Sequence, residues 1–93
     1  GRGAPRLGAV VAAAGEGYLD AGPLPPLASR RTYQLWADVN GSTVSLGLLG
    51  PDPEVTRFTV PEGTGRIEVT EEPVPGRLTP SSPVVTATLT SRA

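Results

Sequence analysis

The chain has 93 residues and a formal net charge of −1, and 22 of its residues are leucine, valine, isoleucine or phenylalanine, so it can bury a core and is not a disordered tail. It contains no histidine and no cysteine, which excludes thiolate and imidazole metal sites, disulfides and the usual nucleophile–histidine pairs. Its length argues against an enzyme with a deep polar cleft, because so small a domain buries only a modest part of its surface.

A single domain is predicted over residues 1–93, with a weaker N-terminal segment at 1–22 and a β core at 23–91. The N-terminal segment holds many glycines and alanines but few large apolar side chains. Burial of apolar surface therefore offsets only a small part of the conformational entropy that this segment loses when it becomes ordered. We therefore expect proteases to cut first before about Gly22. Because methionine is absent, we expect the chain to be part of a longer protein. Its longest apolar run, Leu7–Ala14, is too short to cross a membrane.

The first two predicted strands lie in this N-terminal segment. Residues 9–14 are rich in alanine and could begin a helix, but Gly15 and Gly17 would stop it, which favours a strand. A second strand is predicted over residues 17–21.

The clearest unit is a hairpin over Thr32–Leu49, with its turn at Asn40–Gly41. Asn-Gly is the preferred pair for a type I′ turn, because both turn residues need a positive φ. A two-residue loop also sets the register, and the predicted register places apolar residues of the two strands on one face. The predicted facing pairs are Val39 with Ser42, Ala37 with Val44, Leu35 with Leu46 and Tyr33 with Leu48.

A second hairpin is predicted from Val55–Val60 and Arg66–Glu71, closed by the turn at 61–65. Apolar residues on the two strands would face each other if Val60 lay opposite Ile67 and Phe58 opposite Val69. The turn is predicted to need positive φ at Gly63 and Gly65.

The last predicted strand alternates apolar residues with threonines that face outward. The apolar residues are Val85, Ala87 and Leu89, and the threonines are Thr86, Thr88 and Thr90. The predicted fold class is therefore all-β: a small antiparallel two-layer β-sandwich of about six or seven short strands, Ig-like or a partly open barrel.

Several short blocks occur in a fixed order along the chain: Leu24–Leu27 (LPPL), Thr32–Trp36 (TYQLW), Ser45–Gly47 (SLG), Val69–Thr70 with Glu72–Pro73 and Gly76, and Pro80 with Pro83–Val85. In this order and spacing they resemble the C-terminal domain of anti-sigma-K factors of the RskA type. The residues that match the family motif, with a mainly structural role implied, are Tyr33, Leu35, Trp36, Gly47, Glu72, Pro73, Gly76, Pro80 and Pro83. The chain departs from the family pattern at Glu68, Glu71, Pro75 and Ser81.

The resemblance implies a non-enzymatic regulatory or sensor domain of a membrane-anchored anti-sigma factor. It would lie on the extracytoplasmic side of the cell membrane and control sigma-factor-dependent transcription through regulated proteolysis. Its implied partners are the transmembrane and sigma-binding regions of the parent protein and a membrane-associated protease, with no nucleic acid and no small-molecule substrate. Two alternatives stay open: a stand-alone extracellular ligand-binding or adhesive β-sandwich, and a hydrolase that uses only carboxylates.

Trp36, the single tryptophan, has two interpretations. As an exposed aromatic it could hold a sugar or a peptide, whereas as a packed one it would be covered by the proline-rich segment Pro73–Pro83. The second is favoured, because a lone aromatic is usually packed.

The charged clusters carry no predicted chemistry. Glu71 and Glu72 are neighbours on a strand and point to opposite faces, so they cannot flank one scissile bond. Asp52 and Glu54 lack the spacing and glycine of a calcium loop, and Arg30–Arg31 is predicted to be a solvated turn. We therefore predict no catalytic residue, no metal site and no cofactor.

Overall fold

Short connections join seven strands, as the frequent glycines and prolines require. The computed structural model describes residues 7–12, 15–81 and 85–91. The strands are β1 (Leu7–Val11), β2 (Glu16–Asp20), β3 (Arg31–Val39), β4 (Ser42–Gly50), β5 (Val55–Thr59), β6 (Thr64–Pro73) and β7 (Val85–Ser91). The all-β prediction is confirmed. No helix within these ranges has the length and hydropathy that crossing a bilayer would need.

All strands belong to one sheet in the order β4-β3-β6-β7-β1-β2-β5. The two edge strands, β4 and β5, follow each other in the chain and touch, so the sheet curls into a nearly closed barrel. Of the predicted arrangements, the partly open barrel therefore describes the molecule better than two separate layers. One detail differs from the antiparallel expectation: β1 pairs in parallel with β7, because these two strands are neighbours in the sheet and both begin at the same end of the barrel.

The barrel interior is filled by alternate residues of the strands, as small barrels require. Leu35, Ile67, Val69 and Leu19 are almost completely buried. The buried cluster consists of Leu7, Ala9, Leu19, Ala21, Leu24, Tyr33, Leu35, Ala37, Phe58, Ile67, Val69 and Ala87.

The strand prediction for the N-terminal segment is confirmed, and its two strands lie inside the sheet. β1 lies between β2 and β7, with hydrogen-bonded neighbours on both sides. Leu7 and Ala9 are buried in the core. An interior strand is a poor protease substrate, so the structure does not favour early cuts within β1 or β2.

The Asn40–Gly41 turn forms as predicted, with φ of 51° at Asn40 and 87° at Gly41. Next to the turn the register is also as predicted, with Val39 opposite Ser42 and Ala37 opposite Val44. The local turn chemistry therefore positions the first residues of both strands.

Farther from the turn the predicted register is wrong, because β4 contains two bulges. Each bulge precedes a glycine with positive φ, 123° at Gly47 and 83° at Gly50. Bulges bend and twist a strand, and an edge strand of a nearly closed barrel needs that curvature. The observed partners are Leu35 with Gly47, Gln34 with Leu48 and Tyr33 with Gly50.

The second predicted hairpin does not form. β5 pairs with β2, and β6 lies between β3 and β7. Phe58, Ile67 and Val69 are buried as the pattern predicts, but a barrel buries these faces without placing the two strands side by side. In the connecting turn Gly63 has a positive φ of 88°, whereas Gly65 does not.

One end of the barrel collects most of the prolines. β1 begins there, and the connections at this end are residues 21–30, 51–54 and the chain after Pro73. We call it the proline-rich end. The opposite end carries the turns at 40–41 and 60–63 and the end of β7.

Candidate functional site

Polar side chains on the outer face of β3 and β6 are buried, although that face would normally be solvated. On β3, Gln34 and Trp36 alternate with the core residues, and on β6 Thr70 and Glu72 do the same. Each of these four side chains is at most 3% exposed. Another part of the chain must therefore cover this face.

The cover is the segment of residues 74–81, which we call the covering loop. Gln34 binds the main chain of Arg77 with both ends of its amide: Nε2 donates to the Arg77 carbonyl at 3.1 Å, and the Arg77 N–H donates to Oε1 at 3.0 Å. Gln34 Nε2 also donates to Ser45 Oγ at 2.7 Å. One side chain thus joins the loop to two strands.

Glu72 is the second anchor of the covering loop, and its side chain is 0% exposed. The Ser81 N–H donates to Oε2 at 2.8 Å, and the Ser81 hydroxyl donates to Oε1 at 2.6 Å. The Thr70 hydroxyl also donates to Oε2, and Arg77 Nε lies 3.7 Å from Oε1. These donors stabilise a buried negative charge that would otherwise be costly.

Burial by itself would raise the pKa of Glu72. The hydrogen bonds from the Ser81 backbone and side chain, the bond from Thr70 and the charge of Arg77 outweigh burial, so the pKa is lowered. The hydrogen-bond donors favour the charged form of Glu72, and only the covering loop separates the carboxylate from solvent. Glu72 is therefore ionised at neutral pH.

Trp36 extends the same network. Its Nε1–H donates to Thr70 Oγ1 at 2.8 Å, and the residue is 0% exposed. A buried indole cannot serve as a platform for a sugar. Its burial favours the interpretation of Trp36 as a packed residue.

Tyr33 connects the LPPL segment to β3. Its hydroxyl donates to the Pro25 carbonyl, while Leu24 is buried in the core. Burial raises the pKa of the Tyr33 hydroxyl, and the charges of Glu71 and Asp52 raise it further. The hydroxyl therefore remains a hydrogen-bond donor throughout the physiological pH range.

Gly76 lies where the covering loop passes closest to the barrel. Its φ is 99°, and a Cβ at this position would lie 2.8 Å from Leu48 Cδ2 and 2.9 Å from Gln34 Oε1. Its N–H donates to the Pro73 carbonyl at 2.7 Å. The positive φ favours glycine, and any larger residue would also have to displace the side-chain ends of Leu48 and Gln34, of which Gln34 is an anchor of the loop.

The other predicted motif residues have different locations. Leu35 is in the core, Gly47 is in a bulge of β4, Pro73 ends β6 and Pro80 lies in the covering loop. Pro83 lies outside the described residues. Trp36, Glu72, Pro73, Gly76 and Pro80 are thus brought to the covering loop or its support, whereas Tyr33, Leu35 and Gly47 are not.

Gln34, Thr70 and Arg77 belong to the site but were not predicted from the sequence, and Ser81 was identified only as a departure from the family pattern. A usable signal was present, since Gln34 and Thr70 lie on the face opposite the core residues of their strands. A proline-rich segment follows that pattern directly. Such a combination is typical of a face covered by a loop.

Glu71 and Glu72 point to opposite faces of β6, as predicted. Glu71 is exposed and pairs with Arg31 at 2.8 Å, away from buried Glu72. Within 7–12, 15–81 and 85–91, no three acidic side chains gather to hold a metal ion. In the same ranges, every buried side-chain N or O atom has a hydrogen-bond partner. The hydrogen bonds of Gln34 and Glu72 thus hold the covering loop on the barrel.

A family model described as anti-sigma-K factor rskA, C-terminal, matches residues 2–84 of the chain. The match includes strands β1 to β6, the covering loop and all of its anchors. The comparisons with curated proteins and with solved structures find no match.

Proposed function

Because the chain belongs to the family of anti-sigma-K factor RskA C-terminal domains, we propose that it is a non-enzymatic module on the extracytoplasmic side of a membrane-anchored anti-sigma factor. Anti-sigma factors regulate transcription, and membership implies a membrane-associated parent protein that binds a sigma factor. We propose that regulated proteolysis of the parent releases the sigma factor.

The observation that carries the proposal is the family match over residues 2–84. The polar network supports the non-enzymatic part. Both oxygens of Glu72 are used by Ser81, Thr70 and Arg77, so this carboxylate holds the covering loop and is not free to act as a general acid or base. The adhesive alternative is not carried forward, since its candidate aromatic platform, Trp36, is buried.

In this mechanism the barrel acts as a shield or a receptor that permits cleavage without performing it. β1 and β2 lie inside the sheet, so a protease cannot reach these two strands while the barrel is folded. The regulated cut therefore falls elsewhere in the parent protein, on the membrane side of Leu7. Folding of the barrel then controls access to that cut.

The first experiment tests on which side of the membrane this domain lies. The chain has no cysteine, so a single Thr79→Cys in a parent protein without other cysteines reports on this domain alone. Thr79 is exposed, and we expect a membrane-impermeant maleimide to label it in intact cells. Ala87→Cys, buried in the core, is the matched control and should react only after denaturation. Labelling of Thr79→Cys only after lysis would refute the extracytoplasmic placement.

The second experiment tests regulation. Leu35→Asp in the parent protein should unfold the barrel, raise the amount of cleaved parent and raise a sigma-dependent reporter. Thr59→Asp, at an exposed position, is the control and should change neither. Unchanged cleavage and reporter output in Leu35→Asp would show that this domain does not control the anti-sigma factor.

A further inference from the structure

The most exposed large apolar side chains of the described residues gather at one end of the barrel. Leu78 is 95% exposed, Val55 70%, Val74 54% and Leu48 48%. All four lie at or near the proline-rich end, where β1 also begins. Exposed apolar side chains that gather in this way indicate an interaction surface.

Three of these residues surround Gly76 and form what we call the apolar loop patch: Leu48, Val74 and Leu78. Leu48 lies against Gly76, with its Cδ2 2.8 Å from the position that a Cβ there would take. Val74 and Leu78 are each two residues from Gly76 in the covering loop. The patch is held in place, because Gln34 and Glu72 anchor the loop on both sides of Leu78.

Around the patch, Arg30, Arg31 and Arg77 outnumber Glu71 and Glu72 by one charge; Arg31 pairs with Glu71, and Arg77 Nε lies 3.7 Å from the buried Glu72. Arg77 precedes Leu78, and the Val74 N–H donates to the Arg30 carbonyl at 3.0 Å, which places Arg30 beside Val74. Val55 lies at the same end of the barrel, but its neighbour in the sequence is the acidic Glu54 and not an arginine. We do not include Val55 in the patch. Apolar side chains flanked by arginines fit a bilayer surface that carries anionic headgroups.

The direction of β1 decides which way the patch faces. If the membrane anchor precedes Leu7, as the proposed function requires, the chain enters the barrel at the proline-rich end. We propose that the apolar loop patch docks onto the lipid bilayer surface, with Arg30 and Arg77 at anionic headgroups. This inference depends on the proposed function for the position of the anchor. Three side chains give only weak binding by themselves, so docking needs the high local concentration that an anchor supplies.

The test attaches the 93-residue chain to vesicles by one end or the other. A histidine tag at the N-terminus or at the C-terminus binds nickel-chelating lipids in vesicles of phosphatidylcholine and phosphatidylglycerol. An environment-sensitive fluorophore on Thr79→Cys, next to Leu78, reports contact with lipid. We expect a blue shift and quenching by spin-labelled lipids with the N-terminal tether only, because β7 ends at the opposite end of the barrel.

Side-chain variants identify the contact. Val74→Ser with Leu78→Ser should reduce lipid quenching at least about fivefold, because interfacial binding scales with buried apolar area. Val44→Ser is the matched control and should leave quenching unchanged, since Val44 is exposed on the same strand as Leu48 but near its other end. Arg30→Gln should weaken docking on anionic vesicles; Arg77 is left unchanged in this test, because it also lies 3.7 Å from Glu72 and helps to hold the covering loop.

Three results would overturn the inference: equal quenching with both tethers, no quenching with the N-terminal tether, or the same docking on purely zwitterionic vesicles. A dimer in sedimentation that is lost in Leu78→Ser would also overturn it, by assigning the patch to a second copy. None of these measurements involves a sigma factor. Failure of docking therefore leaves the proposed function intact, and wrong sidedness in the cysteine labelling refutes that function separately.

Discussion

Replacing Glu72 with glutamine tests whether a buried carboxylate holds the covering loop in place. Three hydrogen bonds reach this side chain, two from Ser81 and one from Thr70. A bond to a charged group contributes about 1.5 to 3 kcal/mol, against about 0.5 to 1.5 kcal/mol for a neutral one. The lower desolvation cost of the amide offsets part of the loss, so we expect Glu72→Gln to lose about 2 kcal/mol.

Glu71→Gln is the matched control on the adjacent residue. Glu71 and Arg31 form an ion pair in which both side chains are substantially exposed. Exposed ion pairs contribute about 0 to 1 kcal/mol. The same chemical change should therefore have a small effect at Glu71 and a large one at Glu72.

The effect at Glu72 should also depend on pH. Its pKa is lowered in the folded protein, so its contribution to stability is complete above the unfolded pKa of about 4.3. That contribution is lost as pH falls through the folded pKa. The difference between the wild type and Glu72→Gln should therefore be largest near neutral pH and decrease below about pH 4.3.

Thermal melts followed by circular dichroism and by the fluorescence of Trp36 measure both effects. For a domain of this size, 1 kcal/mol corresponds to about 4 to 8 °C in Tm, so Glu72→Gln should melt about 8 to 16 °C lower at pH 7. Trp36 reports locally, because it hydrogen-bonds Thr70, which in turn donates to Glu72. Equal Tm values for Glu71→Gln and Glu72→Gln, or a difference that grows on acidification, would refute the reasoning.

Further predictions concern the fold and its ligands. Gly76→Ala should lower the Tm by at least about 5 °C, because residue 76 has a positive φ and the added Cβ would lie 2.8 Å from Leu48 and 2.9 Å from Gln34. Gly8→Ala is the control and should be nearly neutral, since a Cβ there meets open space. Leu35→Asp should abolish the cooperative β-type transition in circular dichroism, since a charge in the core costs several kcal/mol. Limited proteolysis with mass spectrometry should leave β1 and β2 uncut until the barrel unfolds; early cuts within either strand would contradict their interior position. EDTA should not shift the Tm, and a drop of several degrees would contradict the prediction of no metal.

Local patterns were sufficient to identify strands, because alternation and turn residues act over only a few positions. The Asn40–Gly41 turn is correct for this reason, and so is the burial of Phe58, Ile67 and Val69. Local patterns do not determine the order of the strands in the sheet. A buried face is satisfied wherever the barrel interior lies, so nothing near Phe58 indicates that β5 pairs with β2.

The site depends even more on distant parts of the chain. Gln34 meets Arg77 across 43 positions, and Glu72 is buried because Ser81 and the rest of the covering loop lie over it. A sequence pattern indicates which side of a strand is polar, but not whether another segment will cover that side. Burial of a charge requires all of its donors at once, and they come together only when the barrel closes and the loop folds back across β3 and β6.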